Sequence, residues 1–445
     1  MKYLFRNDYS FGAHPKVLTA LAETSMEGNA GYGEDGYCKR CADLIRGLCN
    51  CPQADVQFLI GGTQTNFTAI AAFLRPWEGV IAADSSHING HEVGAVEATG
   101  HKILPVPTGP DGKITPEQIA PILERHKDPH LVKPRLVEIA DATESGMVYT
   151  KAELTALSQF CREHDLLLFL DGARLGSALA SPASDLTLPD LAELTDAFYI
   201  GGTKNGALMG EALVIANPAL QPDFFRIKKR LGAVLAKGWL LGVQFEALLQ
   251  DGLYFEMARH ANAMAARLQT GLKALGWTLM VDSPTNQIFP VIPNTRKSAL
   301  DQLCAYEDWC PGPTPDTTVI RFVTCFATTA EVARLLERDF GIDDDYISEL
   351  SFEAPRIGFE CGAVLEPVAA ENKNHPVSFG FGLVLEFAGF TYYLSGDTDV
   401  LVDNVQCDVL FVVCDGIWNM PDYEKSVPAQ VAAMDVLPGL VVPYH

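Results

Sequence analysis

Asp171 closes the apolar run Leu166–Leu170, and Lys204, 33 positions later, follows the short run that ends in Tyr199-Ile200. Runs of this kind read as buried strands, and open α/β sheets bind ligands at the carboxyl ends of their strands. A lysine and a carboxylate there suit pyridoxal 5'-phosphate: the amine forms a Schiff base, and the carboxylate keeps the pyridine nitrogen protonated. A protonated ring accepts electrons when a substrate bond breaks. Standing alone, a lysine after a strand is an ordinary surface charge, so the assignment depends on what surrounds it.

The cofactor's phosphate needs a cradle. The strand-like run Val56–Ile60 leads into Gly61-Gly62-Thr63-Gln64-Thr65-Asn66, which opens a helix running through Ala72. Free N–H groups at a helix start bind phosphate without a basic side chain, and glycines permit close approach. This helix start is therefore a candidate phosphate cradle; the bland alternative is a Gly-Gly turn with Thr as its N-cap. His87, after the run Val80–Asp84, is placed to stack on a pyridine ring or to handle a proton near neutral pH. His87 and His91 also have the i, i+4 spacing of a zinc pair, but no third ligand stands nearby. An amino-acid substrate needs its carboxylate held, and planar bidentate arginine is the usual device. Arg174, three residues after Asp171, and Arg321, inside the apolar strand Val319–Val323, are the candidates, with structural ion pairs as the alternative.

These residues must be carried by regular elements. Ile119, Ile122 and Leu123, and likewise Leu154, Leu157, Phe160 and Cys161, follow one helix face, while Ala212–Ile215 is strand-like. Strand and helix in repeated alternation predict an α/β fold with a mostly parallel sheet covered on both faces. This large domain spans about residues 15–245. A long helical pattern from Val243 to Leu275 leads into a smaller α+β region, about residues 246–340, with strands at Gln287–Ile292 and Val319–Thr324. The N-terminal segment is assigned to the same small domain.

With these residues in place, the chain resembles the threonine aldolase and β-eliminating lyase group of fold-type I pyridoxal-phosphate enzymes. The carriers are Asn7-Asp8-Tyr9-Ser10 with Gly12-Ala13-His14-Pro15, Gly31-Tyr32-Gly33-Glu34-Asp35, and Gly61 to Asn66. They continue through His87 to Glu92, Thr143-Glu144, Asp171-Gly172-Ala173-Arg174, Gly201-Gly202-Thr203-Lys204-Asn205 and Arg321. The resemblance implies that Lys204 carries the cofactor, that Asp171 is the pyridine partner, and that His87 stacks on the ring. It further implies that Gly62 and Thr63 bind phosphate, that Arg174 and Arg321 hold the substrate carboxylate, and that Asn7 lies near it. The implied reaction is cleavage of the Cα–Cβ bond of a β-hydroxy amino acid, threonine or allo-threonine giving glycine and acetaldehyde. His87, Glu92 or a bound water are the eligible bases for the β-hydroxyl. Another β-elimination or a transamination is the alternative chemistry. A homodimer or homotetramer is implied too, with Tyr32 resembling a residue that reaches a neighbour's cofactor.

The last hundred residues differ in composition. From Gly341 to His445 there are 17 acidic residues against 3 basic, within a chain whose net charge is −23. The boundary near 340 follows a helical run, Thr329 to Asp339. Residues 341–445 resemble the second half of a metallo-β-lactamase-fold hydrolase, a partial β-rich segment. His375, Asp397 and His445 match that family's later metal ligands, while its first His-x-His-x-Asp-His run is absent. A fragment without that run is expected to be a non-functional hydrolase, and its fusion to an inactive enzyme is a further alternative.

The overall charge argues against nucleic acid as a partner. No stretch reaches the roughly 18–20 apolar residues of a membrane helix, and the N-terminus has no h-region of a signal peptide. A cytoplasmic address is expected. The Cys38-Lys39-Arg40-Cys41 motif, with Cys49 and Cys51 after it, is too closely spaced for a four-cysteine zinc site and reads as free thiols.

Overall fold

Alternation within the strand Leu167–Asp171 sets the layers of the enzyme-like part. Leu168 and Leu170 enter one core, while Leu167 and Phe169 enter another on the opposite face. Successive side chains of a strand point to opposite faces, so a strand that is apolar throughout must be covered twice. Helices Gly36–Leu48, Lys151–Glu163 and Trp239–Leu249 cover the first face, and Gly62–Phe73 and Phe224–Arg230 cover the second.

The structure, a computed structural model, describes residues 3–329, six strands between Ile357 and Tyr444, and Val431. The chain divides into two units, Met1–Gly341 and Ile342–His445. In the first, seven strands lie in the order Asp55–Leu59, Glu211–Ile215, Ala197–Gly201, Leu167–Asp171, Lys133–Ala140, Glu78–Ala83, Ile103–Val106. All pairings are parallel except those of Glu211–Ile215, which runs antiparallel to both neighbours. Helix starts carry the expected caps: Thr150 with Glu153 and Thr187 with Asp190 form capping boxes.

The smaller sheet is antiparallel, with Thr317–Val323 at its centre between Glu307–Pro311 on one side and Gln287–Ile288 and Pro290–Pro293 on the other. Helix Leu253–Ala274 contributes Ala265, Leu268 and Leu272 to its core, where Phe5, Ile288 and Phe322 meet them. The N-terminal segment is stitched in: Phe5 donates to Ala305 O at 2.9 Å and accepts from the Val323 N–H at 2.8 Å.

Two elements differ from the sequence expectation. The helical pattern from Val243 to Leu275 is two helices, Trp239–Leu249 and Leu253–Ala274, because Gly252 takes a left-handed φ of 74° between them. The strand at 287–292 is split at Phe289 into Gln287–Ile288 and Pro290–Pro293. The helical run at 329–339 lies almost wholly outside the described residues. In the second unit, four antiparallel strands from Ile357–Gly358 to Phe390–Leu394 continue in parallel to Val409–Val413 and Leu440–Tyr444. The metal candidates His375, Asp397 and His445 lie outside the described residues. Among the described residues, no helix is long and apolar enough to cross a membrane.

Candidate active site

Asp171 is the last residue of its strand and is buried. Its Oδ1 accepts from the Tyr199 hydroxyl at 2.5 Å and the Ala173 N–H at 2.9 Å, and its Oδ2 from Asn66 Nδ2 at 2.8 Å. Asn66 Nδ2 also donates to Glu92 Oε1 at 2.9 Å, and that oxygen lies 2.8 Å from His87 Nδ1. One chain of hydrogen bonds thus runs Asp171–Asn66–Glu92–His87. Burial disfavours the charged imidazole, but the Glu92 bond, with Glu144 and Asp171 nearby, outweighs it and holds His87 above the ordinary imidazole range.

Lys204 follows the strand Ala197–Gly201 and has no hydrogen-bond partner among the described residues; its Nζ lies 6.0 Å from the centre of the Tyr9 ring. Burial and then Arg174 push its pKa down, against the pull of Asp8, Glu144 and Asp171. A lysine with a lowered pKa is more often the free amine that attacks a carbonyl. Helix Gly62–Phe73 begins after Gly61, which supplies no side-chain cap. The N–H groups of Gly62, Thr63 and Gln64 therefore have no intrahelical partner and are free for an anion.

These features fit pyridoxal phosphate. An unbonded lysine amine, a carboxylate at a strand end and an uncapped helix N-terminus with a glycine at its first position answer its aldehyde, ring nitrogen and phosphate.

Beside them lies a cavity of about 360 Å³, lined by His87, Arg174, Lys204 and Arg321 together with Tyr9 and Glu144. That volume suits an amino-acid-sized ligand. Arg174 is buried and held in a fork by Asp8, with Nε to Oδ2 at 2.8 Å and Nη2 to Oδ1 at 3.2 Å; Asn286 adds a bond to the same carboxylate at 2.9 Å. Arg321 donates to Gln287 Oε1 at 3.2 Å and pairs with Glu307, while its guanidinium lies over Trp309 at 5.0 Å. Its Nε is buried without a partner.

Both arginines thus carry a structural ion pair and also line the cavity. Asn7 does not line this cavity; its Oδ1 accepts from Tyr9 N–H and Ser10 Oγ in a local turn. Its neighbour Asp8 is the residue that reaches Arg174, and sequence reasoning passed over it. The signal is in the chain: a buried arginine needs a counter-charge, and Asp8 lies within Asn7-Asp8-Tyr9-Ser10. His91 is exposed, with its ring 5.7 Å from that of His87, and no metal-binding cluster occurs among the described residues. Cys38, Cys41, Cys49 and Cys51 are buried free thiols.

The mostly parallel sheet and the lysine site define the fold-type I class of pyridoxal-phosphate enzymes, and solved structures share the architecture. Aspartate aminotransferase of Thermus thermophilus aligns with a TM-score of 0.59 at 18% identity, over 76% of this chain and 91% of that one, which speaks to fold alone. The chain belongs to the beta-eliminating lyase family, whose pattern matches residues 5–294. It is similar to the low specificity L-threonine aldolase of Pseudomonas aeruginosa, 35% identical over 289 residues, or 64% of this chain and 83% of that one. The threonine aldolase of Leishmania major is 49% identical, with a TM-score of 0.74 over 76% of this chain and 98% of that structure.

Proposed function

We propose that this chain is a pyridoxal-phosphate-dependent aldolase that cleaves threonine or allo-threonine to glycine and acetaldehyde. One observation carries the reading: Arg174 and Arg321 face the same cavity as Lys204. An α-amino acid presents a carboxylate that the two arginines would hold and, on the same carbon, an amine that this would place beside Lys204, where the cofactor's aldehyde would sit. The similarity to threonine aldolases supports the choice among pyridoxal reactions.

In this reading Lys204 would anchor the cofactor, Asp171 would serve its pyridine nitrogen, His87 would support the ring, and Gly62 and Thr63 would hold the phosphate. Bound pyridoxal phosphate supplies an electron sink for the pair released when Cα–Cβ breaks. Asp8 keeps one edge of the Arg174 guanidinium occupied, so its remaining N–H groups point at the substrate carboxylate without rotamer searching. With substrate bound, the Lys204 amine would stand in the same cavity as the substrate's reacting carbon and could move a proton there. The Asp171–Asn66–Glu92–His87 chain locks the cofactor-facing groups in one geometry. A homodimer or homotetramer is part of this proposal, and sedimentation of the intact chain tests it.

The visible spectrum of the purified protein, followed by an aldehyde-coupled assay with L-threonine, is the direct test. Lys204→Ala is expected to lose both the cofactor band and acetaldehyde release. A Lys204-dependent band without aldehyde from any β-hydroxy amino acid would move the function to another lyase or an aminotransferase.

For residues 341–445 the metallo-β-lactamase-like fragment stands as a second proposal, supported by its sequence motifs. Metal analysis of the full chain is expected to find no stoichiometric zinc.

A further inference from the structure

We infer that Glu144 accepts the β-hydroxyl proton of the substrate as the Cα–Cβ bond breaks, an assignment that rests on the aldolase reading above. Glu144 lies in the loop after strand Lys133–Ala140, and the turn around it is pinned on every side. The Thr143 N–H donates to Met147 O, and the Gly146 N–H to Thr143 O, each at 2.8 Å. Thr143 Oγ1 donates to Asp111 O at 2.8 Å, while Ser283 and Thr285 of the smaller domain donate to Gly146 O at 3.1 and 2.8 Å. Gly146 has a φ of 76°, and a Cβ there would fall 2.3 Å from Ser283 Oγ. A backbone fastened this firmly presents its side chain in a fixed direction.

That direction is the cavity, which Glu144 lines. It has no hydrogen-bond or ion-pair partner among the described residues, yet it acts electrostatically on His87, Arg174, Lys204 and Arg321. The competing carboxylates are committed. Asp8 is forked by Arg174, Glu307 pairs with Arg321, and Asp308 with Lys297. Glu92 is completely covered, with Asn66 and His87 sharing one of its oxygens. His87 has Nδ1 engaged with Glu92, and in the proposed function its ring is committed to the cofactor.

The chemistry selects the same group. A substrate carboxylate drawn to the two arginines is repelled by Glu144, whereas a hydroxyl donates to an ionised carboxylate through a strong, charge-assisted bond. In the cleavage step the O–H bond breaks and its proton passes to Glu144. The oxygen's electron pair becomes the second C=O bond of the aldehyde. The Cα–Cβ pair stays with the glycine fragment, and the open cavity lets Glu144 return its proton to water.

The test uses the full-length holoenzyme with Glu144→Gln and Glu144→Asp. Threonine cleavage by Glu144→Gln is expected to fall by about 100-fold or more, the usual worth of a general base. Exchange of the glycine α-proton in D2O, which involves no hydroxyl, should stay within about threefold of wild type, with Glu144→Asp intermediate in cleavage. Thermal-shift affinities add a readout independent of turnover: the preference for L-threonine over L-2-aminobutyrate should shrink by about tenfold in Glu144→Gln. Unchanged cleavage by Glu144→Gln, or a parallel loss of glycine exchange, would overturn the assignment. A wild-type enzyme that exchanges glycine but cleaves no β-hydroxy amino acid would overturn the aldolase reading, and this inference with it. That outcome is distinguishable because it shows before any substitution is made.

Discussion

Asp8 and Arg174, 166 positions apart, form a buried two-bond ion pair at 2.8 and 3.2 Å on the wall of the cavity. Burial opposes the Asp8 charge, but Arg174 overcomes it and holds the carboxyl below its usual range. Removing one member of a buried pair leaves the other uncompensated, at a cost of about 3–5 kcal/mol. Asp8→Ala is therefore expected to lower stability by that order and to raise the KM for threonine at least tenfold, as Arg174 loses its orientation. Urea denaturation and steady-state kinetics read the two effects; a normal KM would show that Arg174 needs no such support.

Asn66 is the link between Asp171 and Glu92, donating to both carboxylates from one nitrogen. Hydrogen bonds to charged groups contribute about 1.5–3 kcal/mol. Asn66→Leu should accordingly weaken cofactor binding by roughly tenfold or more, measured by titrating apoenzyme with pyridoxal phosphate and following absorbance. Unaltered affinity would mean that Asp171 is adequately placed by Tyr199 and Ala173 alone.

The His87–Glu92 bond has a pH signature. A histidine whose folded pKa is raised adds stability that is fully present below its unfolded value of about 6.5. That stability is lost as pH rises through the folded pKa. In Glu92→Gln the histidine is expected to titrate at lower pH, visible in the His87 ring resonances, and this part of the stability profile should flatten. Resonances that titrate as in wild type would assign the shift to Glu144 and Asp171 instead.

Gly172 follows Asp171, and a Cβ built there would lie 1.7 Å from the carbonyl oxygen of Tyr199. Backbone on a central strand cannot move aside cheaply, so Gly172→Ala should cost about 3 kcal/mol or more. Far-UV circular dichroism and urea unfolding of this variant, compared with wild type, provide the check. Wild-type stability would contradict so tight an approach between these two segments.

Much of the site is legible along the chain because local rules place it. An apolar run ending in a charged residue marks the carboxyl end of a strand, which locates Asp171, and a nearby run locates Lys204. A Gly-Gly-Thr after a strand marks the helix N-terminus. The alternation of strands and helices also announces a mostly parallel sheet. The antiparallel course of Glu211–Ile215 is not legible in the same way, since a buried strand has the same composition in either direction. Nor is the break at Gly252, where the apolar pattern continues on both sides.

The sequence by itself determined which residue types stand at the ends of which elements, and so the cofactor chemistry. Only the tertiary structure decided that Asp8, rather than Asn7, meets Arg174, that Asn66 and Glu92 join Asp171 to His87, and that Glu144 faces the cavity with no hydrogen-bond partner among the described residues. The reason is physical. Period and composition report how each segment buries its own surface, whereas Arg174's partner Asp8 and Asp171's partner Asn66 come from segments more than a hundred residues away. Those partners are chosen by packing and by the cost of leaving a buried charge alone.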